Sequence, residues 1–172
     1  MDQKQFEVLA LLGATLLGVQ TAEHMLKLAM TFAFPKDAPI SLETLQAEKA
    51  EIAKKRMLGP LVGELGRRVS VEPNFEQRLE AFIANRNQFV HHLSSLPNGD
   101  MHTDEGLAEV KNFATNLFQE ATELTLVFTG AVRNWQHEQG IEVELPDPEF
   151  FRRVDEDYKA RARDLLGPKL PS

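Results

Sequence analysis

The sequence predicts an all-α protein, an antiparallel bundle of four to six helices. Three observations predict it. Apolar residues recur at alternating spacings of three and four along three long segments, the period of a helix with one buried stripe. No segment alternates apolar and polar residues as a half-buried strand does. Helix-start and helix-stop residues punctuate the chain at intervals that suit helices joined by short turns. The length of 172 residues is that of one domain, and 42% hydrophobic with 26% charged residues is a globular composition.

The first helix is expected from about Asp2 to Phe34, where Pro35 stops it, with a seam of Leu9, Leu12, Leu16, Val19, Glu23, Leu26 and Met30. Its apolar run from Val8 to Val19 is shorter than the roughly 20 residues that span a bilayer. The residues before it carry two acids and one base, where a signal segment carries net positive charge. The run therefore reads as a buried helix of a cytoplasmic protein with no membrane role. Ser41 is placed to cap a second helix reaching about Arg56, and Pro60 opens a short third one over 60–68. Pro73 and Asn74 introduce a fourth helix, with a seam of Phe75, Leu79, Phe82, Arg86, Phe89, Leu93 and Leu96, ended by the turn Pro97-Asn98-Gly99-Asp100.

Thr103 caps a long helix to about Glu138, closed by Gly140; its seam runs Leu107, Val110, Ala114, Leu117, Ala121, Leu124, Phe128, Ala131, Trp135. Asp147-Pro148-Glu149 is a cap, a first-turn proline and an early acid, opening a last helix. The expected organisation is a bundle over 1–139, a linker over 140–147, a C-terminal helix over 148–166 and a tail over 167–172.

Composition excludes several classes. Nineteen Lys and Arg face 26 Asp and Glu, a net charge of −7, which does not suit a protein wrapped in nucleic acid but leaves room for a small RNA site. The chain has no cysteine, so disulfides, thiolate metal sites and a Cys nucleophile are absent, in keeping with a reducing cytosol. It also has no Glu-x-x-His pair, no His-Glu-x-x-His, no phosphate loop and no Gly-x-Ser-x-Gly. Neither a metal nor a cofactor is expected.

Two seams are broken by one ionic residue each, Glu23 and Arg86. An unpaired charge at such a position costs several kcal/mol, so each needs a partner, a cleft or an interface. The simplest solution is a Glu23–Arg86 ion pair. Asn87 and His91 lie four apart, on one helix face beside Arg86. Arg offers a planar fork for phosphate, His exchanges a proton near neutral pH, and Asn can hold a hydroxyl or phosphate oxygen. These are the parts for attack of a ribose 2′-hydroxyl on the adjacent phosphate.

Arg86-Asn87-x-x-x-His91, in a helix of an all-α domain, resembles the Arg-x4–6-His motif of the HEPN superfamily. The segment Leu58-Gly59-Pro60-Leu61-Val62-Gly63-Glu64-Leu65 resembles one found upstream of the motif in some bacterial helical proteins of this kind. The resemblance implies a small helical bundle and a metal-independent endoribonuclease, dimeric so that two motifs share one cleft. It also implies a toxin or antiphage-defence role, with an antitoxin or regulatory protein as partner. Arg86, Asn87 and His91 become the catalytic candidates, with Glu23 bracing Arg86 and His92 as a secondary candidate. Other members of the superfamily have lost catalysis, so the alternative is a non-catalytic helical interaction or RNA-binding module.

The remaining features weigh less. Lys54, Lys55, Arg56, Arg67 and Arg68 form a basic cluster that either guides RNA to the motif or is a solvated face. His24, His102 and His137 read as surface histidines. In the last helix, interleaved acids and bases read as a solvent-facing surface, with Phe150, Phe151 and Val154 as an alternative contact with a partner chain. Leu9, Leu11, Leu12, Leu16, Leu17 and Val19 surround most of the first helix, more apolar surface than one bundle covers, so a homodimer is expected.

Overall fold

The computed structural model describes residues 2–35, 42–54, 58–96 and 98–168. Among these are six α-helices: α1 (Gln3–Phe32), α2 (Leu42–Lys54), α3 (Leu58–Arg68), α4 (Pro73–His92), α5 (Asp104–Glu138) and α6 (Pro148–Asp157). Two three-residue strands, β1 (Val69–Val71) and β2 (Leu166–Pro168), pair antiparallel with Ser70 opposite Gly167. Apart from this ribbon, the regular structure among the described residues is all helical.

Local chemistry sets the helix starts. The Asp2 carboxylate accepts from the Gln5 backbone N–H, and the Gln5 side chain accepts in return from the Asp2 N–H, a complete capping box for α1. Thr103 caps α5 through the Gly106 N–H, and Asp147 caps α6 through the Phe150 N–H with Pro148 in its first turn. Gly140, at φ 67°, leaves α5 in the left-handed region that suits glycine. Ser41 lies outside the described residues.

α1 and α5 form the main packing pair, and they run parallel. Residue numbers rise together along their contact. Lys4 pairs with Asp104, the Thr15 hydroxyl donates to the Ala114 carbonyl at 3.2 Å, Gly18 lies against Phe118, and Phe32 meets Trp135. α4 runs opposite to both: the chain enters it from Arg68, beside Met30 and Phe34 at the end of α1, and leaves it toward Leu96 and Met101, which pack on Val8 and Leu107 at the starts of α1 and α5. The expected antiparallel bundle is therefore corrected to a mixed one. A seam spacing tells which face is buried but carries no direction. Direction comes from the connection, and the chain after α1 stays near the end of α1. Arg68, at the end of α3, donates to the Met30 and Phe34 carbonyls, both at 3.0 Å. α4 then descends from that end and α5 climbs back beside α1.

The core lies between α1, α3, α4 and α5, around Phe75, Phe128, Leu26, Leu61, Leu65, Leu79 and Leu124, all nearly inaccessible. Each such side chain contributes about 1.5–3 kcal/mol by leaving water. The α4 and α5 seams are buried as expected up to Phe89 and Ala131. The N-terminal half of the α1 seam is shifted by one residue. Val8 and Thr15 face inward, while Phe6, Leu9, Leu16 and Leu17 are exposed. α1 is thus not a wholly buried helix. By length and composition it is the one described helix apolar enough to cross a membrane, although its inward stripe packs along α5.

The C-terminal segment differs most from expectation. The α-helix ends at Asp157 and continues as a π-helical turn over Tyr158–Ala162 and a 3-10 turn over Arg163–Leu165. Leu166–Pro168, expected to include the start of a loose tail, instead forms β2. Val154, Tyr158, Ala162 and Leu166 are buried against the rest of this chain, so Val154 is not free for a partner. Arg133 on α5 grips Asp155 on α6 with two hydrogen bonds of 2.6 Å, and Phe151 covers the guanidinium.

Candidate functional site

α4 carries the motif, and its position follows from its two ends. Glu72 caps it by accepting from the Phe75 N–H at 2.9 Å, and Pro73 occupies the first turn. Phe75, Leu79, Phe82 and Phe89 bury one stripe, which turns Arg86 on the same stripe toward α1. There the Arg86 Nε donates to Glu23 Oε1 at 2.8 Å, with the two side chains 19% and 15% exposed. The expected pair is present. Arg86 Nη1 donates to Asn87 Oδ1 at 3.3 Å. Among the described residues Nη2 has no partner.

His91 and His92 are exposed, with their rings edge to face at 6.2 Å. His91 lies five residues beyond Arg86, about 140° around the helix and 7.5 Å along it. It lines an open groove of about 850 Å³ at the end of α4, which Arg86 does not reach. One chain therefore brings Arg86, Asn87 and Glu23 together and leaves His91 on a different surface.

The groove is made by the way α4 ends. The Gln88 side chain donates to the His92 carbonyl at 2.8 Å and to Ser95 Oγ at 3.1 Å, and Ser95 Oγ donates to the same carbonyl. These bonds satisfy the helix end while a 3-10 turn over Leu93–Ser95 redirects the chain. Asn98 adopts φ 56°, a region Asn tolerates. Asp100 Oδ1 accepts from the His102 N–H at 2.9 Å, and its carbonyl accepts from the Thr103 N–H and hydroxyl, both at 3.0 Å. This turn lies so close to the start of α5 that a Cβ on Gly106 would collide with the Asp100 backbone. His102 is thereby held on the same groove as His91. Sequence reasoning placed His102 among the surface histidines; its spacing from His91 carries no signal, because a turn brings them together.

The described members of the basic cluster, Arg67 and Arg68, do not lie at the motif. Lys55 and Arg56 lie outside the described residues, as does the Lys54 side chain. Arg67 is exposed and bonds Glu64. Arg68 has a side chain only 5% exposed, bonded to Glu64 and to the last carbonyls of α1. It is a cap for α1, not an RNA-facing cation. It also lies near Met30 and Phe34, while the groove lies at the level of Val8 and Leu12, roughly 20 helical residues or about 30 Å away.

His24 is exposed, and His137 stands 3.2 Å from Asp155. Burial works against ionisation of Asp155, but hydrogen bonds from Arg133 and His137 and their charge outweigh it and hold its pKa below the usual carboxylate value. Among the described residues no group of three His, Asp or Glu side chains is placed to hold a metal ion.

Compared with models of known protein families, with curated protein sequences and with solved structures, the chain finds no match.

Proposed function

We propose that this chain is a HEPN-like helical module that pairs with a second copy and acts as a metal-independent endoribonuclease, a toxin or antiphage-defence component working in the cytoplasm. An antitoxin or regulatory protein is its natural partner in that role. The observation that carries the reading is the setting of Arg86. It is a half-buried guanidinium braced by Glu23 and touching Asn87, with Nη2 left for a phosphate oxygen. It also sits beside an apolar face that none of the described residues covers. Phe6, Leu9, Leu16 and Leu17 on α1 and Val90 on α4 form that face. Residues 8–22 of α1 include no charged side chain, so two copies meet there without opposing like charges. Packing α1 and α4 against their counterparts would bring two Arg86–Asn87 pairs toward a common cleft and His91 to its border.

The test is direct. Cleavage of RNA should persist in EDTA and leave a 2′,3′-cyclic phosphate, because the substrate's own hydroxyl is the nucleophile. Arg86→Lys keeps the charge and loses the fork, and should lose most of the rate. His91→Ala should slow turnover about 10²–10⁴-fold. Cleavage of DNA, or full activity of His91→Ala, would refute the reading.

A second reading is a non-catalytic binding module of the same architecture. It is favoured by the Glu23–Arg86 pair, which occupies the guanidinium that catalysis needs. A stable, folded dimer that cleaves no RNA would select it.

A further inference from the structure

We infer that the groove at the end of α4 holds the ribose phosphate of a single-stranded RNA, and that His102 is the second proton-transfer group of the reaction, acting with His91. The chemistry rests on the ribonuclease reading above; the groove itself does not.

Cleavage by the neighbouring hydroxyl moves two protons. The O2′–P bond forms as a base takes the proton from O2′. The P–O5′ bond breaks as an acid gives a proton to O5′. The products are a 2′,3′-cyclic phosphate and a 5′-hydroxyl, and no water or redox partner is consumed. The attacking and leaving oxygens stand on opposite sides of phosphorus, so one imidazole cannot serve both in a single step. Two imidazoles flanking one groove can.

This chain supplies them. His91 comes from the last turn of α4 and His102 from the turn before α5, and both line the same groove. About 850 Å³ lies within the range of small-molecule sites and admits a nucleotide. Leu93, Leu96, Met101 and Val110 give it an apolar floor for a base, while Ser94 and Asn98 offer hydrogen bonds to sugar or phosphate. Among the described residues no Lys or Arg lines it. Asp100, the carboxylate of the groove, already accepts from the His102 backbone N–H. The turn that carries His102 is held by the Asp100 and Thr103 bonds and the close approach at Gly106, so the backbone from which the imidazole projects has a defined place.

The experiment uses the full chain, ordinary RNA, the same RNA with sulfur replacing the bridging 5′ oxygen at one site, and a 2′-deoxy oligonucleotide that cannot react. His102 is exposed, so His102→Ala should keep the wild-type melting temperature. It should cleave ordinary RNA about 10²–10⁴-fold more slowly, as should His91→Ala. A thiolate leaves without an acid, so the sulfur substrate should restore one of the two variants and not the other. Full activity of His102→Ala on ordinary RNA overturns the inference while the ribonuclease reading stands. So does rescue of both variants or of neither. The deoxy oligonucleotide should shift the NMR signals of the His91 and His102 imidazoles together, and shifts confined to one ring overturn the shared groove. Where the wild type cleaves no RNA, the ribonuclease reading and the proton-transfer role fall together, and joint shifts then retain only the nucleotide groove.

Discussion

Arg86 is the residue on which architecture and chemistry compete, and a double-mutant cycle with Glu23 separates them. Their hydrogen bond is 2.8 Å long, and less than a fifth of either side chain is exposed. Removing one member of a fully buried pair costs about 3–5 kcal/mol because the other charge is stranded. Partial exposure here lets water reach the survivor, so Glu23→Ala or Arg86→Ala should each cost about 1–3 kcal/mol. For a chain of this size that lowers the melting temperature by roughly 3–10 °C. The double variant strands no charge and should recover part of the loss, a coupling of about 0.5–3 kcal/mol. Urea titration of the four proteins, monitored by helical circular dichroism, measures it. Additive losses would refute the argument that each ionic residue in these seams exists for the other. The same variants bear on function. If Glu23 only braces the guanidinium, Glu23→Gln keeps a hydrogen-bond acceptor and should retain more RNA cleavage than Glu23→Ala.

Three further outcomes follow from the packing. Asp155→Asn should destabilise by about 2–3 kcal/mol, because it strands Arg133, whose side chain is 11% exposed. The Asp155 pKa is lowered in the folded state, so its contribution is complete above the unfolded carboxylate value of about 3.9 and disappears as pH falls through the lower folded value. Thermal melts between neutral and strongly acidic pH should therefore converge for wild type and variant at the acid end. Gly106→Ala forces the Asp100 backbone away from α5 and should reduce stability by about 1–3 kcal/mol, with His102 resonances shifted in the NMR spectrum. Leu17 is 66% exposed, so Leu17→Glu should leave the melting temperature of a monomer unchanged and dissociate the proposed dimer in sedimentation velocity; a variant that sediments as the wild type places the interface elsewhere.

Sequence pattern reached helix identity because caps and seams are local. Thr103, Asp147-Pro148 and Gly140 act within a few residues of themselves, and each stands where the pattern placed it. The ion pair was legible for a different reason: a charge inside an apolar stripe demands compensation, and only one other seam held an opposite charge. The face of α1 was not legible. With apolar residues around most of its circumference, periodicity has no polar side to define the inward one. The choice fell to Thr15, whose hydroxyl finds the Ala114 carbonyl across the helix pair. β1 and β2 have three residues each, too few for alternation to register. The π-helical turn at Tyr158–Ala162 packs on Gly130 and Ala131, far away in sequence, and the meeting of His91 and His102 on one groove depends on the path of the turn between them.

The parallel run of α1 and α5 explains why the motif helix is open on one side. With α1 and α5 side by side and parallel, α4 is the helix that returns between their ends, and Arg78 ties it to α5 while Arg86 ties it to α1. α2, α3, α6 and the β-ribbon gather near the C-terminal end of α1, where Arg68 caps its carbonyls. Among the described residues the opposite end receives only the turn over 98–103. Leu9, Leu16, Leu17, Val90, His91 and His102 all lie toward that less covered end and remain exposed. A chain that needed only to fold would profit by covering this apolar surface with its own C-terminal segment, at about 25 cal/mol per Å². Here that segment packs at the other end, which leaves the motif and its apolar border available together.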